Sequence, residues 1–212
     1  MARFSRAICV AVLPMLLQGC ASSEDRLNRE ISRSVVTLER QRDADSLAAA
    51  ALLSGNDIFA KGHRDQKHAA SLIARAISAA PDRPDLAWLQ AALCEQTPSC
   101  DALPFEVRVR KLDPTNGVGW LGELARSWAA NDEAGTNNAL EAIAQSDRVD
   151  IYYTRLVAKL TPKVAEAGSI SLDEASVAVV GALAMETIPT YPPASKACKG
   201  DRLNQAEVVR FC

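Results

Sequence analysis

The chain holds only two histidines, His63 and His68, in 212 residues. A five-residue gap sets them about 140° apart on a helix, so they share no face. Arg64, Asp65, Gln66 and Lys67 between them describe a solvated turn and a helix start. There is no HExxH pair, no glycine-rich phosphate loop and no serine elbow. These gaps remove the common signatures of zinc proteases, nucleotide-binding enzymes and serine hydrolases. Gly117-Val118-Gly119 follows no strand and is a loop-to-helix entry, not a nucleotide fingerprint. Sustained alternation of apolar and polar residues is missing, which leaves no basis for a sheet. Excess positive charge is missing too: 24 Lys and Arg against 26 Asp and Glu leave a net charge of −2. No basic stripe is expected, which argues against a nucleic-acid role. The apolar run from Ile8 to Leu17 is shorter than the roughly 20 residues that span a bilayer.

That short run has another use. Arg3 and Arg6 precede it and the polar Ala21-Ser22-Ser23-Glu24-Asp25 follows, the layout of an export signal. Leu17-Gln18-Gly19-Cys20 resembles a bacterial lipobox, with Gln18 more polar than that family's usual residue. The resemblance implies removal of residues 1–19 and acylation of Cys20 as the new first residue. Ala21-Ser22 lacks the retention aspartate, which implies the outer membrane. Stable anchoring needs more than one acyl chain, and a triacylated cysteine meets that need. The alternative is an ordinary secretory signal, with Cys20 lost or left as a free thiol.

Cys9 leaves with the signal, and Cys94, Cys100, Cys198 and Cys212 remain beside Cys20. An even number in an exported chain suggests two disulfides, with three connectivities open. Local pairing, Cys94 with Cys100 and Cys198 with Cys212, is the simplest. No pair has the tight spacing of a structural zinc site.

Helical periodicity dominates the remainder. Leu27, Ile31, Val35 and Leu38 form one stripe, suited to a stalk or a first domain helix. The spacing predicts helices over Leu47–Phe59, Gln66–Ala80, Leu86–Cys94, Val118–Ala130, Asp132–Gln145 and Ile151–Ala167, with Pro162 a kink or boundary. Phe105, Val107 and Val109 alternate like a strand, but a lone strand has no partner, so a short helix is expected. Ser171 and Glu174 resemble a capping box opening a helix to Thr187, with Val177, Val180, Leu183 and Ala184 inward. Pro189, Pro192 and Pro193 read as a rigid linker before a last helix, Asp201–Phe211. The expected organisation is a signal over 1–19, a tether and first helix over 20–44, a helical domain over 45–187 and a linker with a short helix over 188–212. The fold class is all-α, built of antiparallel hairpins with short loops.

Two stretches, Ala80-Pro81-Asp82-Arg83-Pro84-Asp85-Leu86-Ala87-Trp88-Leu89 and Leu112-Asp113-Pro114-Thr115-Asn116-Gly117-Val118-Gly119-Trp120-Leu121, look alike. Their tryptophans stand 32 residues apart, near the period of about 34 of the tetratricopeptide repeat. Ala69, Ile73, Ala76 and Pro81 fall at that family's small, large, small and terminating-proline positions. The chain resembles that family in degenerate form from about Leu47 to Gln145, interrupted by Cys94–Pro104. The resemblance implies a concave face that binds peptides or proteins. Candidates for such a face are Asn56, Arg75, Gln90, Arg126 and Asn138, beside a core that includes Trp88, Trp120 and Trp128.

No acidic pair stands out for catalysis. Glu30 and Glu39 lie among arginines, and Asp132 and Glu133 sit at a helix start, where the dipole favours them. The expectation is a non-catalytic, periplasm-facing outer-membrane lipoprotein that binds or scaffolds another envelope protein, with no cofactor, metal or nucleic acid. The alternatives are an immunity or inhibitor lipoprotein that neutralises a secreted toxin, and a cell-wall hydrolase or other envelope enzyme. Cells fed labelled palmitate should label the wild-type chain and leave Cys20→Ser unlabelled. An unlabelled wild type would leave the ordinary secretory signal.

Overall fold

The computed structural model describes residues 26–55, 65–98, 100–187 and 191–212. Cys20, Asn56, Ile58, Phe59 and His63 lie outside them.

A helix over 26–41, α1, leads into α2, Ala44–Ser54. Asp43 caps α2, accepting from the Ser46 amide at 3.1 Å. Ser46 and every residue from Leu47 to Leu53 are buried. A helix apolar on all sides has no solvent face and belongs at the centre of a core. Four successive alanines, Ala48 to Ala51, make its surface thin, so neighbouring helices approach closely. Helix α3, Gln66–Ala79, is capped by Asp65 and buries one stripe, Ala69, Leu72, Ile73, Ala76 and Ile77. Helix α4, Pro84–Glu95, starts with proline in its first turn, where no amide bond is lost.

Helix α5, Leu103–Leu112, takes the stretch whose alternation reads as a strand. Its buried residues Ala102, Glu106 and Val109 recur at helical spacing, while Val107 is exposed. A 3₁₀ turn, Gly117–Trp120, precedes α6, Leu121–Ala129. Helix α7, Glu133–Ala144, begins at Asp132, which accepts from the Gly135 amide at 3.0 Å. Helix α8, Tyr153–Gly168, continues past Pro162. That proline sits on the exposed side, while Leu156, Leu160 and Val164 carry a continuous buried stripe. An interior proline costs about 3 kcal/mol, and burial of that stripe offsets it. Helix α9, Leu172–Thr187, opens on a reciprocal capping box: Ser171 N donates to Glu174 Oε2 at 3.0 Å and Glu174 N to Ser171 Oγ at 3.2 Å.

Successive helices pack as hairpins, α2 with α3, α4 with α5, α6 with α7 and α8 with α9. Helices α8 and α9 also return to pack on α2. In a purely linear repeat array each unit touches only its neighbours. Here the last large hairpin closes back on the first, and one core runs from Ile31 to Leu183. The fold is an all-α, disulfide-braced array of helical hairpins, tetratricopeptide-like in its packing. A smaller core of Leu124, Ala139, Leu140 and Ala197 joins the C-terminal segment to α6 and α7.

The stripe on α1 faces inward, with Ile31 and Leu38 in the main core, so α1 packs as the first helix of the domain. Three expectations are corrected. Helix α9 buries Ala175, Ala178, Val179, Ala182 and Leu183 and leaves Val177 66% exposed. The inward face is set one position away from the predicted one, with Val179 buried and Val177 and Val180 outside. The predicted linker is helical over Tyr191–Ala197, named α10, with Pro192 and Pro193 in its first turn. The last segment divides into a 3₁₀ turn, Gly200–Asn204, and α11, Ala206–Phe211.

Both disulfides are local. Cys94–Cys100 closes the turn after α4, and Cys198–Cys212 clamps the end of α10 to the end of α11. Ala50→Leu, inside α2, should lower stability by about 1–3 kcal/mol through overpacking. Ala74→Leu, on the exposed side of α3, should change it by less than about 0.5 kcal/mol. Urea unfolding of the two variants checks this.

Candidate functional site

The most concentrated chemistry lies where α4, α5 and α6 meet. Helix α4 ends on Glu95, α5 contributes Glu106 and Arg110, and α6 contributes Gly122, Glu123 and Arg126. Glu106 is 4% exposed. A buried carboxylate needs a fixed partner, and Arg126 supplies one with two bonds of 2.6 Å, one to each oxygen. Arg110 bonds Glu123 at 2.7 Å and lies over the Trp120 ring, 4.0 Å from its centroid.

Gly122 makes the arrangement fit. A Cβ there would collide with Glu106 Oε1 and stand 2.7 Å from Glu95 Oε1. The two carboxyl groups therefore share the space one side chain would take. Burial of the Glu95 carboxyl raises its pKa to about 7, the Glu106 charge adds to the rise, and Arg126 opposes it. As a residue Glu95 stays exposed, so solvent screens part of this effect. Arg126 is held more firmly charged, first by its hydrogen bonds to Glu106, against desolvation. The adjoining shallow cleft is walled by Trp88, Val109, Val118 and Leu121. A carboxyl that titrates near neutrality beside a paired carboxylate has the chemistry of a proton donor and acceptor. Both oxygens crowd one point, so a sugar ring cannot lie between them.

A second, small concavity lies between α3 and α4. Ala69, Ala70, Ile73, Leu93 and Phe105 give it an apolar lining beside the Cys94–Cys100 bridge. Gln66 and Gln90 add amides. Gln66 Nε2 donates to the Gln96 carbonyl at 2.7 Å. The Gln90 side chain makes no hydrogen bond among the described residues, so its amide is available.

The expected binding residues are thus dispersed. Gln90 lines the apolar cleft, Arg126 is committed to Glu106, and Arg75 pairs with Glu39 at 2.9 Å. Asn138 is exposed on α7, and no recorded bond joins any two of these. The pair Glu95 and Glu106 went unmarked in the sequence. The only signal for it was a glycine inside the first turn of a helix, and that signal does not name its neighbours. His68 Nε2 stands 3.4 Å from Glu39 Oε2, and no cluster of three metal-ligating side chains occurs among the described residues. Comparison with protein-family models, curated proteins and solved structures returns no match.

A carboxyl whose folded pKa exceeds its unfolded one favours folding below the unfolded value of 4.5 and loses that contribution as pH rises through about 7. Stability should therefore fall between pH 5 and pH 8 on account of Glu95. Glu95→Gln should flatten that fall and raise the urea midpoint at pH 8. An unchanged profile would assign Glu95 an ordinary pKa.

Proposed function

We propose that the protein is a non-catalytic, lipid-anchored envelope protein that binds a partner protein through the cleft between α3 and α4. The observation that carries this reading is the cleft itself. Apolar walls beside an uncommitted glutamine amide suit an apolar side chain together with the peptide backbone that bears it. Its floor is held by the Cys94–Cys100 bridge and by α3, which packs on both α2 and α4. A site on rigid elements needs little ordering on binding.

The finer parts of the reading come from residues. The lipobox-like Leu17-Gln18-Gly19-Cys20 supports an outer-membrane anchor with the domain facing the periplasm. The paired segments around Trp88 and Trp120 ally it with degenerate tetratricopeptide repeats, whose work is protein binding. Within this reading the partner is an envelope protein that the chain helps to assemble. A toxin neutralised by an immunity lipoprotein would use the same cleft.

One observation favours a different class. The Glu95 carboxyl, near neutrality beside Glu106, is what an envelope hydrolase would need as its acid. The crowding over Gly122 favours a packing contact instead. Glu95→Gln separates the two: an enzyme would lose turnover of peptidoglycan fragments, whereas a binding module would keep its partner.

The direct test is crosslinked capture from native envelopes with wild type and Ala70→Trp, which fills the cleft from its exposed rim. The expected result is one dominant partner with wild type, lost with Ala70→Trp at an unchanged melting temperature. A partner retained by Ala70→Trp would place binding elsewhere. No specific partner would move the weight to the enzyme.

A further inference from the structure

The near-neutral net charge conceals a local asymmetry. Between positions 26 and 42 the chain has five arginines, Arg26, Arg29, Arg33, Arg40 and Arg42, against Glu30 and Glu39. Helical spacing sorts them. Leu27, Ile31, Ser34 and Leu38 follow one another by four, three and four residues and face the core. Arg29, Arg33, Val36 and Arg40 follow the same steps two residues on, about 200° around the helix. They form the face opposite the core, and all four are exposed. The absence of a basic stripe expected from composition is thereby corrected: α1 has one.

These cations are not consumed by internal pairs. Arg26 bonds Glu174. Arg33 reaches Glu30 at 2.8 Å with its side chain still 70% exposed. Arg29, Arg40 and Arg42 make no ion pair among the described residues. At the C-terminal end of the stripe an open groove is lined by Val36, Glu39, Arg40, Arg42 and Arg75. Glu39 is the one anion in it, and Arg75 neutralises it at 2.9 Å. The groove is therefore net positive, with an apolar Val36 beside it.

We propose that this outer face of α1 lies on a membrane surface and binds the phosphates of anionic phospholipids. Arginine forks match phosphate oxygens in pairs, and the arginine stems and Val36 suit the boundary between headgroups and acyl chains. The inference deepens the lipid-anchor reading and rests on it for position. Five residues separate Cys20 from Arg26 at the start of α1, a reach of at most about 20 Å even when fully extended. An anchor there holds α1 at the bilayer. The stripe then fixes which way the domain faces: α1 toward lipid and the later helices toward the periplasm. A single flexible tether would leave that orientation free. Polybasic segments beside an acyl anchor add affinity for anionic leaflets in the same manner.

The test uses the full chain purified from bacterial membranes and placed in vesicles of phosphatidylcholine, with and without phosphatidylglycerol. An arginine-selective reagent, phenylglyoxal, is read by mass spectrometry at each arginine. Modification of Arg29, Arg33, Arg40 and Arg42 should slow severalfold in the anionic vesicles and recover at high salt. Arg210, on the C-terminal clamp, should react equally in both. In the variant Arg29→Glu/Arg33→Glu/Arg40→Glu, whose altered residues are exposed, Arg42 should lose its protection while the melting temperature holds. Equal modification in both vesicles would overturn the proposal. So would protection by inorganic phosphate without vesicles, which would assign the groove to a free anion. The mass of the Cys20 peptide reads the anchor separately. If it is unacylated, the anchor reading fails, and the same vesicles added to the free chain still decide the stripe.

Discussion

Helix α2 has no outward face, and the rest of the molecule is arranged to cover it. Eight consecutive residues, Ser46 to Leu53, are buried. A single hairpin partner covers one stripe of a helix and leaves the others wet. Helix α3 covers one side, and α8 and α9 must return from more than a hundred residues along the chain to cover more. The alanines set the spacing of that return. Their small side chains bring backbones close, which selects alanine-rich faces on the partners, as the buried Ala175, Ala178 and Ala182 of α9 show. Dispersion contacts then replace the missing side-chain volume.

Charge is placed around the ends of this packing. Asp85 is fully buried at the start of α4, held by Arg83 through Nε at 2.7 Å, and Arg83 also reaches Asp45 on α2 at 2.9 Å. Lys163 on α8 approaches Asp43, the cap of α2, at 3.4 Å. The start of α2 is thus tied to α4 and α8. A similar knot joins two loops: Asp113 accepts from the Tyr152 hydroxyl at 2.7 Å and from Arg148, while Asn116 bonds both the amide and the carbonyl of Asp150. These hydrogen bonds depress the Asp113 pKa against its desolvation, and burial raises that of Tyr152. The Asp113-Pro114 break therefore serves as a joint between hairpins as well as a helix stop.

The site regions draw on the same economy of small residues. Gly122 admits two carboxyl groups between α5 and α6, and Gly55 with Ala69 keeps the α3–α4 cleft open. Each opening exists because a helix presents little or nothing at one position. The sequence shows the glycine but not what leans over it. Glu95 and Glu106 stand eleven positions apart on different helices, and no periodicity relates them to position 122. Arg126, by contrast, was recognisable as a polar residue beside an apolar face. Its commitment to Glu106 came only with the packing of α6 on α5.

Residues a few positions apart were sufficient for the helix class and for most helix starts. Asp65, Asp132 and the Ser171–Glu174 box cap helices with side chains that reach one turn ahead. The local pairing of four cysteines, the simplest of three choices, is the one formed. Such signals act within a turn or a short loop, so they survive in any tertiary setting. Which face of a helix is inward depends on a surface brought from elsewhere. That decided the inward alanines of α9 and the helical state of Pro192 and Pro193. Hydrophobicity alone ranks valine above alanine for the core. On α9 position on the inward face decides instead: Val179 is buried with Ala175, Ala178 and Ala182, while Val177 is exposed.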